Sequence, residues 1–172
     1  MCDFLNLARK RYSVRKFQSA PVEQEKIDRI LAAASLAPTA CNNQPQKIYV
    51  VTSEAARKAL AETTPCTFHA PVVFVIGYDK SRSAKGMIYD GYDFGNTDAA
   101  IVCTHMMLEA TAQGLGTCWV GYFNEEKVKA ALGIPEEICI RNLLPTGYAA
   151  EDSAPSDRHT ASREAGEMVA YL

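Results

Sequence analysis

Arg11-Tyr12-Ser13-Val14-Arg15 is the stretch around which we expect the rest of the chain to fold, and it places a hydroxyl group midway between two guanidinium groups. Because strand side chains alternate between two faces, an extended conformation directs Arg11, Ser13 and Arg15 to one side. Tyr12 and Val14 then point the other way, into the body of the protein. Guanidinium and hydroxyl donors on one side suit a phosphate group or another planar acceptor. A solvated basic turn before a helix is an equally good interpretation of these five residues alone.

The composition is that of a globular protein. The chain has 172 residues, of which 48% are hydrophobic and 22% charged, so residues 1–172 are expected to form one domain with a substantial core. A formal net charge of −2 gives no reason to expect nucleic-acid binding, which requires a basic surface. No apolar run reaches the roughly 18 residues that span a bilayer, and Met1-Cys2-Asp3-Phe4 lacks the basic start of a signal peptide. We therefore expect a cytoplasmic protein that binds neither nucleic acid nor membranes.

The cysteines do not form a disulfide or metal-binding pattern. Their spacings are wide and irregular, and they stand at positions 2, 41, 66, 103, 118 and 139. Cys103 and Cys118 lie inside apolar segments, where a free thiol behaves as a small hydrophobic group. Cys66 and His69 form a Cys-x-x-His pair, but no second ligand pair accompanies them at metal spacing. We predict neither disulfides nor a metal site.

Apolar periodicity predicts helices and strands that interleave along the chain. Helices are predicted at 4–9, 23–37, 54–63, 98–113 and 125–132, and extended segments at 11–15, 47–52, 71–78, 117–123 and 138–149. The strand at 71–78 is β-branched almost throughout and is therefore expected to be buried on both faces. Pro145 is expected to interrupt the last extended segment. Because the order is not that of a doubly wound sheet, we predict an α+β fold.

The longest predicted helix lies between Thr97 and Gly114 and is apolar nearly all round. Thr97 is expected to cap its start, and Gly114 to end it in the left-handed conformation. A helix that is hydrophobic on most sides is buried on most sides, here at the centre of the fold and against a partner subunit. His105 is a polar residue within it, better explained as a hydrogen-bonded buried or interface residue than as a ligand or base.

Two further segments have the character of a binding site. The loop Pro38–Pro45 packs amide and hydroxyl side chains between two prolines, directly after a core helix. Loops of this kind on a rigid scaffold often carry binding groups, although most polar loops do not. Gly121 weakens the middle of a predicted strand, which marks a bulge or a place where the backbone closely approaches another group.

Together these motifs resemble those of the nitroreductase family of FMN-dependent oxidoreductases, and the resemblance covers nearly the whole chain. It rests on Arg11-x-Ser13-x-Arg15-x-Phe17, Ala37-Pro38-Thr39-Ala40-Cys41-Asn42-Asn43-Gln44-Pro45, Asp98-Ala99-Ala100, Gly114-Leu115-Gly116-Thr117-Cys118-Trp119-Val120-Gly121 and Ser156-Asp157-Arg158. The chain departs from the family at Cys41, where glycine is common, and at Ser156, where lysine is common. The resemblance implies an antiparallel or mixed central sheet flanked by helices.

The resemblance also implies a homodimer that binds two FMN molecules at the subunit interface and exchanges its C-terminal tail between subunits. By position, Arg11 and Ser13 hold the FMN phosphate and ribityl chain. Arg15 reaches the pyrimidine edge of the ring, and Arg158 closes on the phosphate. The implied set is completed by the backbone of Val120 and Gly121 near flavin N5, by Tyr12 and Gln44, and by Pro38, Thr39, Ala40 and Asn42 from the partner subunit.

The implied activity is a ping-pong oxidoreduction, in which NADH or NADPH reduces FMN and the flavin passes hydride to a nitroaromatic, quinone or related small acceptor. A cation at Arg15 would stabilise the reduced flavin, which is negatively charged around N1. Because hydride chemistry belongs to the cofactor, no protein residue is predicted to be catalytic. The alternatives are an FMN carrier or sensor with little turnover, a thiol- or metal-based protein, and an interaction domain without a cofactor.

Overall fold

The computed structural model describes residues 3–86 and 91–172, so Cys2 lies outside the described residues. The helices are α1 (Phe4–Lys10), α2 (Gln24–Ser35), α3 (Glu54–Ala61), α4 (Gly95–Ala112), α5 (Glu125–Leu132) and α6 (Ala165–Met168). The strands are β1 (Gln46–Val51), β2 (Val72–Asp79), β3 (Gly116–Thr117) and β4 (Ile138–Gly147), and short 3₁₀ turns occur at Ala40–Asn42, Pro65–Thr67 and Asp157–His159. Among the described residues, no helix is both long enough and apolar enough to cross a membrane.

The four strands form one antiparallel sheet in the order β1-β2-β4-β3. Every residue of β2 from Val72 to Tyr78 is buried, as its β-branched composition predicts. Residues of α2 and α4 pack on one face of the sheet, and residues of α3 and α5 pack on the other. This arrangement confirms the predicted α+β fold, with a central antiparallel sheet flanked by helices.

The structure corrects two of the predicted strands. β4 runs through Pro145 without interruption, because the Pro145 carbonyl points at Cys118 and accepts its N–H over 3.2 Å. The N–H and C=O of one strand residue point to the same side, so the missing proline N–H leaves the ladder with β2 intact. The predicted strand 117–123 is much shorter, because β3 ends at Thr117. Beyond it, Cys118 makes one hydrogen bond to β4, and Val120 forms an isolated bridge with Leu143.

The predicted start of the long helix was also wrong, because α4 begins at Gly95 and Thr97 does not cap it. The Asp93 carboxylate takes that role through Oδ1, which accepts the N–H of Gly95 over 2.9 Å. Gly95 is required there, since a Cβ at this position would overlap the ring of Tyr78. Gly114 follows the helix with φ of 77°, as predicted.

The carboxylate at the start of α4 should make stability depend on acid pH. Burial raises the pKa of Asp93, but hydrogen bonds from Lys85 and from the Gly95 N–H outweigh it and lower the pKa to about 2. Because this folded-state pKa lies below the unfolded value, Asp93 stabilises the fold at neutral pH. That contribution, on the order of 2 kcal/mol, is lost as the pH falls from about 4 to about 2.

Urea unfolding of the protein and of Asp93→Asn, at pH 6 and again at pH 2.5, would measure this contribution. The difference in unfolding free energy between the two proteins should shrink markedly at the lower pH. An equal difference at both pH values would show that the carboxylate charge does not stabilise the start of α4.

Candidate functional site

The stretch Arg11–Arg15 leaves α1 in an extended conformation and lies beside β3. The Val14 N–H donates to the Thr117 carbonyl over 2.9 Å, and Ser13 pairs with Thr117 as an isolated parallel bridge. Val14 is only 1% exposed, so it points into the body of the protein, as the alternation predicts. The stretch is therefore extended, but it joins the sheet through a single bridge.

The C-terminal segment folds back onto this stretch. The Tyr12 hydroxyl donates to the Ser153 carbonyl over 3.4 Å, and the ring of His159 stands edge-on to Tyr12 with centroids 6.2 Å apart. His159 Nε2 lies 3.2 Å from the Arg9 carbonyl, which only accepts, so this nitrogen carries the proton. These contacts hold the turn Asp157–His159 beside the N-terminal stretch.

A cavity of about 210 Å³, which we call the arginine cavity, lies between the two segments. Its lining comes from both ends of the chain: Arg11, Tyr12, Ser13, Arg15, Ser156, Arg158 and His159. The structure thus brings Arg158 to the N-terminal residues with which the family resemblance grouped it. His159 was missed as a site residue, although its position next to Arg158 in a tail turn could have indicated it.

The arginine cavity carries uncompensated positive charge. In residues 3–86 and 91–172, no carboxylate lies within 4.0 Å of the guanidinium groups of Arg11, Arg15 or Arg158. Arg15 makes one internal hydrogen bond, from Nη1 to the Ser13 carbonyl over 3.3 Å. Guanidinium groups without acidic partners attract an anion that offers several oxygen atoms, as a phosphate monoester does.

The polar loop between α2 and β1 adopts a strained backbone. Cys41, Asn42 and Gln44 have φ values of 55°, 54° and 49°, in the left-handed region that residues other than glycine seldom occupy. Each residue held in this conformation destabilises the fold by roughly 1–3 kcal/mol, and such residues cluster at ligand sites. The loop does not line the arginine cavity within one chain. The predicted site residues of this loop therefore lie outside the arginine cavity of a single chain.

Asp98 on α4 holds this loop in place. Its carboxylate is 2% exposed, and Oδ1 accepts the N–H of Ala40 over 2.9 Å. Asp98 Oδ2 is buried and has no hydrogen-bond partner within the part of the chain that the structure describes. Thr39 Oγ1 closes the loop by accepting the N–H of Gln44 over 3.1 Å. The Asp98 motif therefore positions the polar loop, a role that the sequence pattern did not reveal.

Replacing Cys41 with glycine is expected to stabilise the fold by about 1 kcal/mol, because glycine adopts positive φ without the steric cost of a Cβ. The Cys41 side chain is exposed, so little packing is lost. The control is Cys41→Ala, which keeps the Cβ and should gain nothing. Urea unfolding compares the variants, and equal stability of the glycine and alanine forms would contradict the expected backbone strain.

The backbone at Gly121 is open to a ligand. Val120 exchanges N–H and C=O hydrogen bonds with Leu143, each 2.9 Å long, so its N–H is already used. Gly121 is exposed, its N–H has no partner in the described ranges, and a Cβ built on it would meet nothing within 4 Å. Of the two residues expected to face a flavin, Gly121 is therefore the one that offers a free donor.

The buried thiols have little chemical reactivity. Burial raises the pKa of Cys103 and of Cys118, so both remain protonated near neutral pH and are poor nucleophiles. Within residues 3–86 and 91–172, no three His, Cys, Asp or Glu side chains are grouped to hold a metal ion. The guanidinium groups of the arginine cavity are therefore the groups best suited to bind a ligand, and they suit an anion.

The fold and site thus define an α+β protein with a cavity rich in arginine and, at Gly121, an accessible backbone segment. The sequence model of the nitroreductase family matches residues 8–66 and 63–148, and the chain belongs to this family.

Similar proteins agree with this assignment. The chain is 30% identical over 187 residues to a Thermus thermophilus protein named NADH dehydrogenase, with 91% of each protein covered. It is 28% identical over 164 residues to FMN reductase (NAD(P)H) of Bacillus subtilis. The aligned region covers 85% of this chain and 66% of that relative. The crystal structure of a nitroreductase family protein from Clostridium difficile 630 superposes with a TM-score of 0.92 at 33% identity, over 99% and 98% of the two chains.

Proposed function

We propose that the protein is an FMN-dependent oxidoreductase that transfers electrons from NADH or NADPH to a nitroaromatic, quinone or related acceptor. The observation that carries the proposal is the arginine cavity, in which Arg11, Arg15 and Arg158 face about 210 Å³ of space. A phosphate monoester is close to a dianion at neutral pH, so uncompensated guanidinium groups suit it. Membership of the nitroreductase family supports FMN as the molecule that carries this phosphate.

The residues of the site fit FMN in distinct roles. Arg11, Ser13 and Arg158 would hold the phosphate and the ribityl chain, and the Arg15 guanidinium would reach the pyrimidine edge. The free N–H of Gly121 would donate to the ring, whose approach no Cβ obstructs. Bound FMN supplies the two-electron chemistry. Arg15 would then favour the reduced form, because its positive charge offsets the negative charge that the ring gains.

The proposed reaction balances without a protein acid or base. NAD(P)H and one proton convert a quinone to its hydroquinone and leave NAD(P)⁺. The hydride carries both electrons, and the proton can come from water. The residues of the site therefore act by binding, orientation and charge, and none of them needs to form a covalent bond.

We further propose a cytoplasmic homodimer in which the polar loop of one chain completes the site of the other, and in which the tail after the turn Asp157–His159 is exchanged between subunits. An apolar depression of about 470 Å³ between α1, α2 and α4 is lined in part by Phe4, Leu7 and Leu108. Residues 160–172 are all exposed in the single chain, and they include the apolar Met168 and Val169. A second copy that packs on α4 and receives this tail would bury both surfaces.

Steady-state kinetics tests the proposed function. Purified protein loaded with FMN should oxidise NADH or NADPH in the presence of menadione or nitrofurazone, as the loss of nicotinamide absorbance would show. Turnover should require bound FMN and should give parallel lines in a double-reciprocal plot, as ping-pong transfer demands. Bound FMN that neither nicotinamide reduces would favour an FMN carrier or sensor instead.

A further inference from the structure

A groove of about 430 Å³ opens directly beside the free backbone of Gly121. It is lined on one side by Thr63, Thr64 and Pro65 and on the other by Gly121, Tyr122 and Asn124. Among the described residues, the Tyr122 phenol is the only ionisable side chain in its lining. The groove therefore differs sharply in charge from the arginine cavity.

Tyr122 presents a large aromatic ring at this groove. Its exposed fraction is 77%, whereas the next residue, Phe123, packs against the core between the sheet and α5. An aromatic ring exposed to this degree gains stability only when another apolar or planar group covers it. The ring follows immediately after Gly121, whose N–H is free, so a group held at Gly121 lies next to the Tyr122 side chain.

The backbone beneath Tyr122 is held rigidly by Thr64. Thr64 is only 4% exposed, and its hydroxyl donates to the Tyr122 carbonyl over 2.8 Å. The same hydroxyl accepts the N–H of Cys66 over 3.2 Å, which fixes its orientation. A buried hydroxyl that donates to one loop and accepts from another joins the turn Pro65–Thr67 to the segment after β3. The Tyr122 side chain is thus free while its backbone is fixed.

We propose that this groove receives the ring of the electron acceptor, that Tyr122 stacks on that ring, and that Thr64 is the residue that positions Tyr122. The inference rests on the proposed function, because the acceptor must lie beside a flavin held at Gly121. The chemistry of the lining selects a neutral planar acceptor, such as a quinone. A charged acceptor would lose water on entering without gaining an ion pair, which is unfavourable.

The test compares acceptors on FMN-loaded protein. Menadione is the neutral planar probe, and ferricyanide is a small anionic acceptor that has no ring to stack. Tyr122→Ala should raise KM for menadione about tenfold, in line with the contribution of one aromatic stacking contact. The ratio of kcat/KM for menadione to that for ferricyanide should fall by a similar factor. Tyr122→Phe, which keeps the ring, should rescue the menadione KM.

Thr64 is tested with Thr64→Val, which keeps the shape of the side chain but removes its hydroxyl. We expect KM for menadione to rise a few-fold, and Thr64→Ser, which restores the hydroxyl, to rescue it. FMN affinity is measured by fluorescence titration for every variant and should stay within twofold of the parent protein.

Three outcomes decide the inference. A tenfold rise in menadione KM in Tyr122→Ala with unaltered FMN affinity supports it. An unchanged menadione KM in Tyr122→Ala, in protein that binds FMN and turns over, overturns the groove as the acceptor site and leaves the proposed function standing. A parent protein that takes up no FMN overturns the proposed function, and this inference with it.

Discussion

Replacement of Arg11 with alanine is expected to weaken FMN binding about 10- to 100-fold, because a hydrogen bond to a charged group contributes roughly 1.5–3 kcal/mol. Arg11 lines the arginine cavity and has no acidic partner among the described residues, so its guanidinium is available to the phosphate. Titration of the variant with FMN, followed by flavin fluorescence, gives the affinity. The loss should be largest at low ionic strength, since salt screens partly exposed charges.

Two control variants sharpen this experiment. Arg11→Lys keeps the positive charge but loses the planar fork, so its FMN affinity should fall between those of the parent and Arg11→Ala. Arg57→Ala also removes a positive charge, but Arg57 lies outside the arginine cavity, so affinity should not change. If Arg11→Ala bound FMN as tightly as the parent protein, the cavity would not be the phosphate site.

Replacement of Gly116 with alanine is expected to destabilise the fold by about 1–3 kcal/mol, the usual cost of overpacking. A Cβ at this position would lie 2.5 Å from a Val14 methyl carbon, and Val14 is buried with no room to withdraw. Relief of the overlap requires the stretch Arg11–Arg15 to move away from β3. Because the guanidinium groups move with that stretch, FMN affinity should fall together with the free energy of unfolding.

A second glycine variant provides the matched control. A Cβ on Gly121 meets nothing within 4 Å, so Gly121→Ala should unfold in urea like the parent protein when FMN is absent. Adding Val14→Ala to Gly116→Ala removes both Val14 methyl carbons, so the double variant should lose less stability than the sum of the two single losses. A Gly116→Ala variant as stable as the parent would mean that Val14 does not fix the stretch to β3.

The sequence predicted those parts of the fold where one physical effect dominates. The β-branched run of β2 predicts a strand buried on both faces. The helical spacing of apolar residues in α2 predicts an amphipathic helix. The errors occurred where a distant residue decides the local structure. α4 begins at Gly95 because the Asp93 carboxylate accepts its N–H. β4 continues through Pro145 because the carbonyl of Pro145 points away from β2, toward Cys118.

The same distinction holds for the candidate site. Alternation correctly directed Val14 inward but not Tyr12, which lines the arginine cavity. Residue type offered Arg11, Ser13 and Arg15 as possible anion ligands, and Arg158 joined them only through the family resemblance. Their convergence on one cavity depends on the fold of the tail, which no local pattern encodes. The pairing of Val120 with Leu143 was equally invisible to the sequence, because a backbone hydrogen bond leaves no trace in side-chain identity.

The central claim is that the arginine cavity holds the phosphate of an FMN molecule that nicotinamide reduces. The most direct measurement is the absorbance spectrum of protein loaded with FMN and freed of unbound flavin, before and after anaerobic addition of NADH or NADPH. We predict about one flavin per chain, whose visible bands bleach with one of the two nicotinamides and return when menadione is added. A protein that retains no flavin, or a bound flavin that neither nicotinamide bleaches, would contradict the claim.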